Sequence, residues 1–233
     1  LCNWPPGKGL PSSVDDIVYE LWTNGTALVA GTARGGGFGG FDGEILHLDS
    51  SGTWTTWDTG SNGIPNGYPI GMAMCAGIFH VSITANNGGV ARLDLANGTT
   101  LSSFTTSTRL ADGDAAAVAC DDSSNILYIG YNDDSEPISR YDYNGNLWLS
   151  DLTSSTHNIP SDPVCWGAME FAGGTLAIGY DIGTQGSNVL GGGYVLLSAN
   201  GATGGTASIL QTGSPVSSTD GQGTQGIIGH AGG

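Results

Sequence analysis

Positive charge is nearly missing from this sequence. One lysine, Lys8, and four arginines stand against 21 acidic residues, for a formal net charge of −16. Such a surface cannot neutralise a phosphate backbone, which excludes nucleic acid and anionic membranes as partners. No apolar run reaches 18 residues, so membrane insertion is excluded as well. Cysteine is sparse: four residues, with no CxxC and no Cys/His pair at zinc spacing. His47, His80, His157 and His230 are scattered at different levels of the chain and build no metal cluster. An initiator methionine and a leader are both missing, which predicts either a removed leader or a piece of a larger polypeptide. The acid-biased, Ser/Thr/Asn/Gly-rich composition fits an extracellular or cell-surface protein, in a salty medium on a purely compositional reading.

What is abundant is glycine, 41 of 233 residues. The glycines lack the every-third-residue period of collagen and sit between apolar runs, as turn residues of an all-β chain do. A longer period is present. An apolar residue at a kink recurs in Gly9-Leu10-Pro11, Gly63-Ile64-Pro65, Arg109-Leu110-Ala111 and Asn158-Ile159-Pro160. Each kink is followed by an apolar strand, a turn, a second apolar strand, a break, and a third strand that ends at Asp49, Asp94, Asp142 or Ser198. The second strands close on Gly31, Ser82, Gly130 and Gly179, so the unit is roughly 50 residues long.

Asn-Gly pairs at 24–25, 97–98, 144–145 and 200–201 mark hairpin turns, which gives four antiparallel strands per unit. The second strands are almost continuously apolar, as strands covered on both faces are. The expectation is an all-β fold, a β-propeller of four-stranded antiparallel blades. Four whole blades span about 9–59, 60–106, 107–153 and 154–212, with an outer edge strand at 1–8 and a partial blade at 213–233. The unfinished ends predict part of a larger propeller of about six to eight blades; a small ring closed by a two-stranded remnant is the alternative.

Four stretches carry a family resemblance: the run Gly9 to Ile17, the strand end Val29 to Thr32, the Leu-Asp third strands and the Trp-rich fourth strand. They resemble two-component-regulator-type (WD40/YVTN-like) propeller repeats. That family occurs in extracellular sensor regions of hybrid kinases and in secreted proteins, and it has no shared catalytic residue. Unit two departs from its pattern at Ser82, unit three lacks the proline, and unit four carries an insertion around Thr184 to Gly193.

Candidate site residues lie mainly in connections. No cofactor is expected: Asp112, Asp114, Asp133, Asp134 and Glu136 read first as turn caps and solvated loop acids. They are the candidate hard oxygen ligands if calcium is bound, although none fits EF-hand spacing. Cys75 and Cys120 both end a first strand and read first as buried free thiols; a bridge between neighbouring inner strands in an oxidising compartment is the alternative. Asn24 and Asn97 open glycosylation sequons, but Asn-Gly is also the preferred turn dipeptide. Asp49-Ser50-Ser51-Gly52-Thr53-Trp54 misses the sialidase Asp-box by one residue, and four scattered arginines supply no carboxylate clamp. Trp54, Trp57 and Trp148 fall on outer strands and are expected to pack between blades.

The functional expectation is a non-catalytic extracellular recognition, sensor or adhesion module that binds protein or glycan through propeller loops. A polysaccharide-active hydrolase or lyase with loop carboxylates is one alternative. A structural subunit of a filament or sheath, self-assembling through blade edges, is the other.

Overall fold

The computed structural model describes residues 17–33, 43–85, 87–132, 137–157, 159, 166–180, 183–185, 188–190, 193–198 and 207–211. The expected edge strand at 1–8 and partial blade at 213–233 lie outside the described residues, as do Leu10, Cys2, Cys165 and His230. Four sheets follow one another along the chain. The first holds β1 (Ile17–Thr23), β2 (Leu28–Ala33), β3 (Gly43–Leu48) and β4 (Trp54–Asp58). The second holds β5 (Tyr68–Cys75), β6 (Ile78–Thr84), β7 (Gly89–Asp94) and β8 (Thr99–Phe104). The third holds β9 (Ala115–Asp121), β10 (Ile126–Tyr131), β11 (Ser139–Asp142) and β12 (Leu147–Trp148). The fourth holds β13 (Trp166–Ala172), β14 (Thr175–Tyr180), β17 (Gly193–Ser198) and β18 (Ala207–Gln211), and a separate hairpin of β15 (Gly183–Gln185) and β16 (Asn188–Leu190) sits between β14 and β17.

Each four-stranded sheet is an antiparallel meander in chain order. First strands of successive sheets lie against one another, β1 on β5, β5 on β9 and β9 on β13, which puts the first strand inside and the fourth strand outside. The fold is that of propeller blades. Helix is confined, among the described residues, to a 3-10 turn at Thr106–Thr108 and one α-helical turn at Ser154–His157. The fourth strand of the third sheet is short: only Leu147–Trp148 pairs as a strand, with an isolated bridge between Ile138 and Leu152.

Strand alternation builds the seams between sheets. Phe79, Val81 and Ile83 of β6 join Val29, Ile45 and Trp57 of the first sheet in one buried cluster. Val90 and Phe104 of the second sheet meet Leu127, Ile129 and Tyr131 of the third. Ile126 and Tyr128 of the third meet Leu176, Ile178, Val195 and Leu197 of the fourth. Burying each such side chain contributes about 1.5–3 kcal/mol. The kink residues complete these layers: Ile64, Leu110 and Ile159 each enter a different seam cluster. Trp57 is buried in the first seam, and Trp148 packs against the second.

A β-bulge recurs in every first strand. Pairing skips one residue between Val18 and Glu20, between Pro69 and Gly71, between Ala115 and Ala117, and between Trp166 and Ala168. The residue after each skip pairs with Gly31, Ser82, Gly130 or Gly179, so the recurrent second-strand position is the one opposite the bulge. A Cβ at Gly31 would stand 2.6 Å from the Pro69 carbonyl oxygen of the next sheet. Ser82 departs from glycine because two changes accommodate it. Its cross-strand partner is Gly71, and its hydroxyl donates to the Ala116 carbonyl of the third sheet at 3.1 Å. Gly31→Ala is therefore expected to destabilise by about 1–3 kcal/mol through overpacking against backbone; a thermal melt indistinguishable from wild type would refute the close-approach account.

Candidate functional site

The meander places the connections between first and second strands and between third and fourth strands at one end of the sheets, the turn face, and the remaining connections at the other. On the turn face, acidic and amide side chains cap the backbone. Asp49 Oδ1 accepts from the amides of Ser51 (2.9 Å) and Thr53 (2.8 Å), and Asp94 Oδ1 from Ala96 (3.0 Å) and Asn97 (3.1 Å). Asp121 Oδ1 and Asp142 Oδ1 accept from Ser123 and Asn144 in the same way. The carboxyls of Asp49 and Asp94 are held below the usual carboxylate range, chiefly by side-chain hydrogen bonds from Ser51 and Asn97. The aspartates that end the third strands are thus turn caps. Asn24 and Asn97 are exposed on this face; Asn24 Oδ1 accepts from Thr26 and Ala27, and Asn97 donates to Asp94 at 2.7 Å.

The loop face carries the connections 34–42, 59–67, 85–88, 105–114, 132–138, 149–165 and 181–192. They differ in length from sheet to sheet, and the last contains the β15–β16 hairpin. Asp112 and Asp114 are here. Asp112 Oδ1 accepts from the Asp114 amide at 2.6 Å, the Asp114 carboxylate accepts from Thr84 Oγ1, and Asn132 donates to Asp114 through its backbone at 2.9 Å. Asp133, Asp134 and Glu136 lie outside the described residues. Among the described residues, no three His, Cys, Asp or Glu side chains come together as a metal site.

A polar-aromatic row crosses the inner rim of this face. Tyr19, the bulged residue of β1, and Tyr68, the first residue of β5, have ring centroids 6.0 Å apart at 44°. Tyr68 pairs with Thr84 across the strands, and Thr84 leads to Asp114 and Asn132 of the third sheet. Tyr19 is 49% exposed.

Sequence reasoning missed the polar groups inside the seams. His80 of β6 and Arg92 of β7 are cross-strand partners facing the third sheet. His80 Nε2 lies 2.5 Å from Tyr143 Oη, and the Arg92 guanidinium lies over the Phe104 and Tyr143 rings at 4.6 and 5.5 Å. Burial, reinforced by the Arg92 charge, pushes the His80 imidazole down to about 3, and burial pushes the Tyr143 phenol up to about 12. One repeat later Tyr128 and Arg140 occupy the same relation and face the fourth sheet. Arg92 donates to the Ser102 carbonyl and Arg140 to the Ser150 carbonyl, each ten residues onward in the fourth strand or just beyond it. Arg109 donates to Leu149 O and sits over the Trp148 ring at 5.9 Å. The signal was the shared offset of Arg92 from Ser82 and Arg140 from Gly130, ten residues in both cases.

Cys75 and Cys120 are joined by a disulfide, with Cα atoms 5.4 Å apart, tying β5 to β9 near the turn face. The same seam holds the His80–Tyr143 contact and the Ser82–Ala116 hydrogen bond.

No protein-family model matches the chain, and no curated protein matches it in sequence. Solved structures do. PorZ, a bacterial surface component of the type-IX secretion system of Porphyromonas gingivalis, superposes with a TM-score of 0.61 at 16% identity, over 83% of this chain and 27% of that one. The likeness is one of fold. An extracellular domain assigned to a hybrid two component system of B. thetaiotaomicron matches with a TM-score of 0.53 at 14% identity, over 91% of this chain and 24% of its own. The WD40 repeats of RRP9 match with a TM-score of 0.52 at 12% identity, over 88% and 66%. This chain therefore spans about a quarter of the length of the first two of these proteins. No helix among the described residues is long and apolar enough to cross a membrane.

Proposed function

We propose that the chain is a non-catalytic extracellular recognition module whose loop face binds a protein or glycan partner. The observation that carries this reading is the contrast between the two faces. Among the described residues, one face carries turns capped by aspartates in the first three sheets, while the connections of the other vary in length from sheet to sheet and include the β15–β16 hairpin. Variable connections on a regular scaffold are where binding residues concentrate. The Cys75–Cys120 bridge supports an oxidising compartment, and surface and extracellular proteins among the structural matches support the same location. Calcium at the 132–138 connection, with Asp112 and Asp114, belongs to this proposal, as do glycans at Asn24 and Asn97.

The test uses immobilised panels of purified extracellular proteins and oligosaccharides. One variant replaces residues 181–192 by the sequence Ala85-Asn86-Asn87-Gly88, which joins the corresponding strands of the second sheet. A second alters the turn face, by Ala96→Glu and Asp122→Lys. A partner that binds wild type is expected to be lost by the first variant and kept by the second, and weaker binding in EDTA than in calcium is expected if calcium orders the loop. Equal retention by both variants would defeat the loop-face assignment.

A further inference from the structure

We infer that the Tyr19–Tyr68 pair and the row Thr84, Asp114 and Asn132 beside it form a subsite for a neutral hexose unit of a glycan. The inference rests on the loop-face reading and names the ligand class for its inner rim. Three observations converge on it. First, the bulge in β1 takes Tyr19 out of the pairing ladder, and bulges re-aim side chains in this way. In the third sheet the same bulged position is Ala116, buried and only 1% exposed, so an exposed aromatic ring here is a local departure from the repeat. Second, Tyr19 and Tyr68 meet tilted at 44°, which presents ring surface with a hydroxyl at its edge. A pyranose has the matching character: one face of C–H groups that packs on an aromatic ring, and a periphery of hydroxyls.

Third, the groups that continue the row are a carboxylate, a hydroxyl and an amide. Asp114 is tied to Thr84 and Asn132, which holds its position in the row. A few oriented polar groups beside an apolar surface are what fix a ligand in place. Charge narrows the class further. Among the described residues, Arg92 and Arg140 donate to carbonyls within the seams, and Arg109 is engaged with Leu149 and Trp148. Asp112 and Asp114 put negative charge on the described part of the rim, which disfavours a sulfated or uronic glycan relative to a neutral one.

The experiment titrates wild type, Tyr19→Ala, Tyr19→Trp and the 181–192 replacement with neutral gluco-, manno- and galacto-oligosaccharides, polygalacturonate and choline, by calorimetry. At least one neutral oligosaccharide is expected to bind wild type, with about tenfold or greater weakening in Tyr19→Ala and retention within about threefold in Tyr19→Trp. Polygalacturonate is expected not to bind. Three outcomes would overturn the subsite: no neutral oligosaccharide binds, choline alone binds, or a neutral oligosaccharide binds wild type and Tyr19→Ala equally. If in the last case the 181–192 replacement abolishes binding, the loop-face reading survives while the tyrosine subsite does not. Partial exposure of Tyr19 allows the variant to fold, which a melt compared with wild type verifies.

Discussion

Removing the Cys75–Cys120 bridge is expected to lower the unfolding free energy by about 4 kcal/mol. The bridge joins residues 45 apart and links the first strands of two different sheets. Without it, the unfolded chain regains the freedom of that loop, and the loop-closure relation sets the size of the loss. Cys75 is fully buried among apolar groups, so the double variant Cys75→Ala/Cys120→Ala removes the bond without burying a hydroxyl. For a chain of this size the loss corresponds to a melting-temperature drop of roughly 10 °C. Equilibrium urea unfolding of the variant, and of wild type in reductant, measures it. A change below about 1 kcal/mol would mean that the seam is held by its other contacts and that the bridge is incidental.

Acid is expected to weaken the same seam through His80. The ordinary imidazole titrates at 6.5, while folded His80 is held down to about 3 by burial and the neighbouring Arg92 charge. The groups facing it are Arg92 across the strand pair and the Tyr143 phenol of the third sheet. Because the unfolded chain takes up the proton first, the stabilisation is fully present above pH 6.5 and is lost as pH falls from there towards 3. By pH 5 the loss is on the order of 2 kcal/mol. His80→Phe removes the titration, so its stability is expected to fall less between pH 7 and pH 5 than that of wild type, by about that amount, whatever its absolute stability. Equal falls would refute the assignment. Asp49, Asp94 and Asp121 do not confuse this window. Their carboxyls lie below the usual 3.8, so their contributions are lost only at lower pH.

The scaffold was legible in the sequence because its causes are local. Asn-Gly turns, the nearly continuous apolar second strands and the recurring Leu10/Ile64/Leu110/Ile159 position each act within a few residues, and three of those four apolar residues are described and buried in seams. The bulges were not legible. No residue type marks them, since the skipped positions carry Tyr19, Ile70, Ala116 and Gly167. Their trace was the small residue opposite, at Gly31, Ser82, Gly130 and Gly179, whose meaning depends on how closely the next sheet approaches. The candidate site was legible only in outline. Asp112 and Asp114 stood out by charge, while Tyr19 and Tyr68 are 49 residues apart and meet because two inner strands run side by side. The half-buried Arg92 and the buried Arg140 were hidden by the ordinary expectation that arginine faces water.

The polar pairs inside the seams bear on how the chain finds its own order. Repeats so alike could stack in the wrong sequence, or trade places with those of another molecule, a characteristic failure of repetitive chains. The strand-two and strand-three partners are Val29 with His47, His80 with Arg92, Tyr128 with Arg140, and Ala177 with Leu196. Two of these combinations have a matched neighbour: His80 meets the phenol that Tyr143 supplies, and Tyr128 stacks on Phe171. A blade docked out of turn would bury a cation or an imidazole against a surface that offers it nothing. At these two seams the few differing residues thus act as addresses that tell otherwise interchangeable blades apart.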